Sequence, residues 1–295
     1  MAVTTEMIKD LRKASGAGVI DCKKALEATE GDFDKALEHL REKGLEAAAK
    51  KASREANEGR VNVLVDDEAR VGAIVEVNCE TDFVARTAEF QAFVNAVARQ
   101  VAQEAGVSTV PELLDRPFVD DRSVTVGQRL TQLIATLGEN MRVQRFARIE
   151  RDRYGLVEGY LHPGSRIGVL VYVSAGSQNV AASPVFADLV HDLSLQIAAA
   201  APQYVAATDI PETVVEAERA SYRAQVVEEN KPDQIKERIV SGKLDKWYQE
   251  LSLLRQPFVK DDSLSVGDLL SQKSKELGTA LTVECFVRYE LGMNE

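Results

Sequence analysis

The chain has 295 residues, 45% of them hydrophobic, which is enough to bury a sizeable core and long enough for two or more domains. A net charge of −11, without any long basic run, excludes a protein built on phosphate contacts, so no direct nucleic-acid partner is expected. Three cysteines without C-x-x-C spacing suit a reducing compartment. Met1-Ala2-Val3-Thr4 is not a basic start to an apolar run, and nothing approaches the roughly 18 apolar residues of a membrane span, so a cytoplasmic, non-membrane protein is expected.

In chain order, residues 4–44 read as three short helices, a small N-terminal docking domain at 1–44. The first, from about Thr5 to Ala14, offers Met7, Ile8 and Leu11 to a core and stops at Gly16-Ala17-Gly18. The second starts at Asp21 as N-cap and carries Cys22, Ala25 and Leu26. The third, capped by Asp32, presents Phe33, Ala36, Leu37 and Leu40 and ends at Gly44. Val19-Ile20, on the glycine-flanked loop, is either the contact point of this module or a cap on its own core. Residues 45–58, rich in Ala, Lys and Glu with little apolar face, read as a linker in which Lys50 and Lys51 are solvated.

From residue 59 the sequence repeats itself. Residues 59–103 recur at an offset of 96: Arg70-Val71-Gly72 becomes Arg166-Ile167-Gly168, and Phe90, Phe93, Val94, Val97 and Val101 become Phe186, Leu189, Val190, Leu193 and Ile197. Both sets have the spacing of a buried helix face, opened by Thr87 and by Ser183-Pro184. Residues 116–150 recur at an offset of 140 with 15 of 35 positions identical, where unrelated sequences would share roughly two. Thr125 with Gln128 makes a capping box echoed by Ser265 with Asp268; Leu137-Gly138 and Leu277-Gly278 mark helix ends; Val143 and Phe146 match Val283 and Phe286 on a closing strand. Each half reads strand, strand, helix, helix, strand. The expected class is α+β, with pseudo-repeated subdomains at 59–150 and at 151–201 with 256–292, each an antiparallel sheet with one face covered by helices.

The repeat also shows where the halves part. Val71, Ala73, Val75 and Val77 alternate as a strand that leads into a strand-to-helix loop holding Asp82 and Phe83. In the second copy Thr81-Asp82-Phe83 is Ser177-Gln178-Asn179, so the same strand and helix close without the carboxylate or the ring. Phe83 is either a lid on its own core or an anchor for a partner, and the duplicate favours the partner. The growth of the offset from 96 to 140 leaves 44 extra residues in the second half. Within 202–255, Val215, Tyr222 and Val226 mark one helix, Asn230-Lys231-Pro232 a turn, and Ile235, Ile239, Trp247, Leu251 and Leu254 a return helix. This helical-hairpin insertion is an arm for a partner or a means of self-association.

Enzymatic motifs are absent. Gly242-Lys243 is followed by Leu244 and preceded by Glu237 where a phosphate-binding loop needs glycine. The histidines His39, His162 and His191 are scattered. Cys79 and His162, at neighbouring positions of the paired halves, would make a thiol–imidazole pair in a cysteine-dependent enzyme, but a strand cysteine is more often a small core residue and His162-Pro163-Gly164 reads as an exposed turn. No cofactor, metal site or covalent chemistry is expected.

Three long motifs, Gly16-Ala17-Gly18-Val19-Ile20-Asp21-Cys22-Lys23-Lys24-Ala25-Leu26, Asn78-Cys79-Glu80-Thr81-Asp82-Phe83-Val84-Ala85 and His162-Pro163-Gly164-Ser165-Arg166-Ile167-Gly168-Val169-Leu170-Val171, resemble in sequence and order the bacterial elongation factor Ts family, guanine-nucleotide exchange factors for elongation factor Tu. The resemblance spans essentially the full chain. It implies a ubiquitin-associated-like N-terminal module, a core of two subdomains and a coiled-coil insertion. The implied partner is elongation factor Tu, GDP-bound and nucleotide-free, with Thr81, Asp82, Phe83 and Val84 entering its G domain and helping to dislodge its Mg²⁺. The resemblance further implies contacts at Val19, Ile20, Lys23, Leu137 and Gly138, with His162 toward the partner's third domain. Familiar members carry another helical module after the last strand, where this sequence reads Gly292-Met293-Asn294-Glu295, a departure that puts any contact made by that module in doubt. The alternative is a protein-binding or chaperone-like scaffold without exchange activity.

Overall fold

A computed structural model describes residues 3–68, 70–151, 153–226 and 232–293. The chain opens with α1 (Thr5–Ser15), α2 (Val19–Ala28) and α3 (Phe33–Lys51), packed around Leu11, Cys22, Ala25, Leu26 and Ala36. Thr4 caps α1 by accepting from the Met7 amide at 3.2 Å, and Gly16, at φ 72°, ends it in the left-handed turn that glycine adopts without strain. Two boundaries differ from expectation. α2 begins at Val19 behind Gly18, which makes no side-chain cap bond; Asp21 lies inside the first turn, where its charge favours the positive end of the helix dipole. α3 runs through Gly44 to Lys51, because the Ala-, Glu- and Lys-rich stretch beyond it propagates a helix well enough to absorb the roughly 1 kcal/mol that a mid-helix glycine costs. Gly44 is buried where α3 crosses a later helix, against Thr131 and Ala135.

The first copy comprises β1 (Glu58–Asp66), β2 (Val71–Cys79), α4 (Asp82–Ala85), α5 (Ala88–Gln103), α6 (Val110–Leu114), β3 (Pro117–Phe118), β4 (Asp121–Thr125), α7 (Val126–Leu137) and β5 (Met141–Glu150). The second comprises β6 (Gly155–Leu161), β7 (Ile167–Ala175), α8 (Gln178–Ala181), α9 (Pro184–Ala200), α10 (Glu212–Val226), α11 (Asp233–Leu251), β8 (Pro257–Phe258), β9 (Asp261–Ser265), α12 (Val266–Leu277) and β10 (Leu281–Glu290). Strands β1-β2-β5 form one antiparallel sheet and β6-β7-β10 the other. The fold is therefore a mixed α+β arrangement of small antiparallel sheets and helices. No described helix is long and apolar enough to cross a membrane.

Expectation gave each sheet one covered face, but both faces are buried. Ala73, Val75, Val77 and Cys79 of β2 meet Phe90, Phe93, Val94, Val97 and Val101 of α5, and Val169, Val171, Val173 and Ala175 of β7 meet the equivalent side of α9. The intervening positions point the other way. Ile74, Leu170, Val61, Val157, Ile149, Tyr172 and Tyr289 form a further core between the two sheets. The sheets approach closely at Gly72 and Gly168, which occupy matching positions. A Cβ on Gly72 would lie 2.5 Å from Leu170 Cδ1, and one on Gly168 would lie 2.5 Å from Val61 Cγ1. All nine residues of β2 are buried as a result.

The short hairpins β3–β4 and β8–β9 were not anticipated, because the two-residue strands β3 and β8 carry no periodic signal and the five-residue β4 and β9 are mostly polar, with one aliphatic residue each. Both capping boxes are present, and Gly138 and Gly278 end their helices at φ 81° and 67°. α10 and α11 pack on each other through Val226, Val240, Leu244, Tyr222, Ile239 and Trp247, with Arg223 bonded to Glu237 at 3.0 Å. The return helix stops at Leu251, short of Leu254; Leu253 is fully buried in the second copy's core, and Leu254 packs against that core. Of the expected Asn230-Lys231-Pro232 turn, Asn230 and Lys231 lie outside the described residues.

Candidate partner-binding site

β2 ends at Cys79, and Thr81 then caps a single helical turn, α4, by accepting from the Val84 amide at 3.3 Å. Asp82 and Phe83 thus sit on a helical turn rather than a loop, because the Thr81 hydroxyl satisfies a backbone donor that the first turn would leave unpaired. Val84 and Ala85 face inward onto the α5 core. Phe83 is 79% exposed, so it is not a lid on any core of this chain. Asp82 points outward too and pairs with Arg86 at 2.8 Å.

A carboxylate from the end of α7 pins this turn. Glu139 accepts from the Glu80 amide at 3.1 Å, the Thr81 amide at 3.0 Å and the Thr81 hydroxyl at 2.6 Å. In return, Glu80 accepts from the Asn140 amide at 2.6 Å, and the Asn140 side chain donates to the carbonyl of Arg54 at 2.7 Å. Gly138 makes this possible: its left-handed conformation reverses the chain just after Leu137 and delivers Glu139 to α4.

The same end of α7 receives the N-terminal helices, since the Thr136 hydroxyl donates to the Gly16 carbonyl at 3.3 Å. Val19 and Ile20, 51% and 69% exposed, open α2 just beyond and do not cap the three-helix core. Lys23 follows one turn later, exposed and 3.7 Å from Glu27. Residues 19–20, 137–138 and 81–84 are therefore gathered around the C-terminal end of α7. His162 lies on the other sheet, in the exposed β6–β7 turn, which is joined to β1 where Val61 donates to the Ser165 carbonyl at 2.8 Å. β1 starts opposite Cys79, so His162 occupies the same end of the sandwich as α4.

Cys79 and His162 do not pair. The Cys79 thiol donates to the Thr81 carbonyl at 3.1 Å, and burial first, then the nearby Glu139 charge, push its pKa up to about 12. His162 Nδ1 faces the Tyr160 hydroxyl at 2.9 Å instead. A thiol held neutral in this way is a core group and not a nucleophile.

A family model described as Elongation factor TS matches residues 80–293. Elongation factor Ts of Clostridium perfringens strain SM101 is 47% identical over 290 residues, covering 98% of this chain and 93% of that protein. Elongation factor Ts of Clostridium novyi strain NT is 43% identical with the same coverage, and that of Trichlorobacter lovleyi is 42% identical over 99% of this chain and 93% of its own length. The chain belongs to the elongation factor Ts family. The family is one of translation elongation factors, proteins of protein biosynthesis. The family model's span contains α4, Glu139 and the β6–β7 turn, whereas Val19, Ile20 and Lys23 precede it and are covered by the nearly full-length relatives.

Sequence reasoning missed Glu80, Glu139 and Asn140. A signal was present: their counterparts in the second copy are Gly176, Thr279 and Ala280, so the divergence that exposes Asp82 and Phe83 extends to the residues that hold them.

Proposed function

We propose that this chain is a guanine-nucleotide exchange factor that binds elongation factor Tu in its GDP-bound and nucleotide-free forms, helps displace Mg²⁺ from the partner's site, and so promotes GDP release. In this reading α4 is the wedge. Phe83 enters the partner's G domain with Asp82, while Thr81 and Val84 form the base of the turn. Val19, Ile20, Lys23, Leu137 and Gly138 supply surrounding contacts, and His162 reaches toward the partner's third domain. Residues 1–44 act as a docking domain of ubiquitin-associated-like type, 45–58 as its connection, 59–150 and 151–201 with 256–292 as the two core subdomains, and 202–255 as a coiled-coil insertion available to a partner or a second copy. The setting is the cytoplasm, with no covalent step and no cofactor of the chain's own.

The observation that carries this proposal is an aromatic ring left 79% exposed on a turn whose backbone is otherwise pinned. Burying such a ring contributes roughly 1.5 to 3 kcal/mol, and aromatic anchors of this kind dominate interface energetics. Mg²⁺ demands near-ideal octahedral geometry at short distances, so a small displacement of one ligand weakens it strongly. Linkage then requires that whatever loosens the nucleotide also loosens the exchange factor by the same factor once nucleotide returns, which makes the cycle reversible. Release of labelled GDP from elongation factor Tu, with and without the chain, is the test. Unchanged release at saturating chain would overturn the assignment and leave a non-exchange binding protein.

A further inference from the structure

We propose that Glu139 is a positioning residue for Phe83, holding α4 in the direction from which the ring is presented while contacting neither nucleotide nor Mg²⁺ itself. This rests on the exchange function proposed above.

Phe83 has almost no packing of its own, so its direction is inherited from the backbone of α4. That helix is four residues long, far below the length at which a helix is stable alone. Glu139 supplies what length does not. Its carboxylate collects two consecutive backbone amides and the Thr81 hydroxyl, and that hydroxyl in turn accepts from Val84, the residue after the ring. Hydrogen bonds to a charged acceptor are the stronger kind.

The second copy shows that chain closure does not need this carboxylate. There the capping serine, Ser177, accepts from Val180 at 3.4 Å, and Thr279 stands at the position of Glu139. Thr279 fills the space beside Gly176 so closely that a Cβ there would lie 2.0 Å from its hydroxyl. Closure is achieved by direct contact, and the turn carries Asn179 instead of an aromatic ring. The clamp and the ring thus occur together in one copy and are both missing from the other. A loosened turn must be ordered during engagement, and that ordering cost falls on the step in which the ring enters its site.

The test is Glu139→Gln in the full chain, read by GDP release from elongation factor Tu, by thermal unfolding and by amide exchange at Val84 and Ala85. Expected are an approximately tenfold fall in kcat with KM within about twofold, faster amide exchange at those two positions, and an unfolding midpoint within about 2 °C of the parent. In a Phe83→Ala background, the same substitution should cost almost nothing more, because the clamp acts through the ring. The triple substitution Glu80→Gly, Glu139→Thr, Asn140→Ala installs a closure already used by the second copy and serves as a second variant with the same expected loss. Parental exchange kinetics in both variants, or a loss that adds fully to that of Phe83→Ala, would overturn the positioning role. If the parent chain itself leaves GDP release unchanged, the exchange proposal fails separately; unaltered amide exchange at Val84 and Ala85 in Glu139→Gln would then show that Glu139 does not hold the turn.

Discussion

α4 and α8 are the same element built twice for different ends. Each follows the central strand of its sheet, each spans four residues, and each is capped by a hydroxyl that accepts from the amide three positions on. They differ at the tip and at the base. α4 presents Phe83 and is held by Glu139; α8 presents Asn179 and is closed by Thr279. Since the shared parts suffice to join strand to helix, the parts found in only one copy are surplus to folding. Surplus polar and aromatic groups concentrated at one exposed turn are the mark of a surface made for something else.

Exchanging the tips is the sharpest way to break that comparison. Replacing Thr81-Asp82-Phe83 by the Ser-Gln-Asn of the second copy should slow GDP release from elongation factor Tu by about 30-fold, the effect of losing roughly 2 kcal/mol of a hot-spot contact. The cap hydroxyl is retained and the lost ring was exposed, so stability should change by no more than about 0.5 kcal/mol. A large drop in the unfolding midpoint with near-normal exchange would return Phe83 to the fold.

Next in size is Ile20→Ala. Ile20 is 69% exposed at the start of α2, so its removal should leave the midpoint unchanged while raising the KM for elongation factor Tu by about fivefold, the smaller effect of an aliphatic contact outside the wedge. An unchanged KM would confine the partner surface to the repeated core.

The hairpin tests whether the remaining asymmetry between the copies also lies outside the fold. Excising residues 212–250 and joining the ends should leave a cooperative thermal transition, because the first copy reaches β3 from α5 without such helices. The cut must spare Leu251 to Leu254: Leu253 is fully buried, and the carbonyl of Leu251 receives the amides of Gln203 and Tyr204. Loss of the cooperative transition would make α10 and α11 part of the fold.

The smallest effect separates two capping boxes. In α7 the box is Thr125 with Gln128, neither of which titrates near neutrality or in acid. In α12 it is Ser265 with Asp268, whose carboxyl is held below its usual 3.8 first by the Ser265 hydroxyl and then by the Ser265 amide. A carboxyl lowered in the folded state stabilises above its unfolded pKa and loses that contribution as pH falls through the folded value. Amide exchange in acid should therefore show the first turn of α12 opening before that of α7 as pH drops below about 3.8, and Asp268→Asn should remove the difference. Equal opening of both turns would show that the aspartate adds nothing the glutamine lacks.

Much of the fold was legible because it is written twice. The offset of 96 aligns β2 with β7 and α5 with α9, and the two capping boxes and terminal glycines mark α7 and α12 on their own. What escaped was whatever depends on a partner distant in sequence. Gly44 looks like a helix stop until it is seen buried in mid-helix against Thr131 and Ala135 of α7, and the alternation of Val71 to Val77 cannot reveal that a second sheet waits on the other side of β2. At the site, the tip was readable and its support was not. Glu139 binds residues about 60 positions away through side-chain-to-backbone hydrogen bonds, which leave no periodicity behind; only the contrast with Thr279 carries any trace of them.

The length of α3 sets a reach. Nineteen residues at 1.5 Å each make a rod of about 28 Å, pinned near Gly44 to α7 and tied at its far end through the Arg54 carbonyl to Asn140. Val19 and Ile20 belong to the N-terminal helices that this rod carries and Phe83 sits beside its far end, so any surface that receives both must offer its two pockets at a matching distance and angle. One residue inserted before Gly44 would swing the N-terminal helices by about 100° around the rod. The α3 helix thus acts as a caliper, fixing which partners can be touched at both points at once.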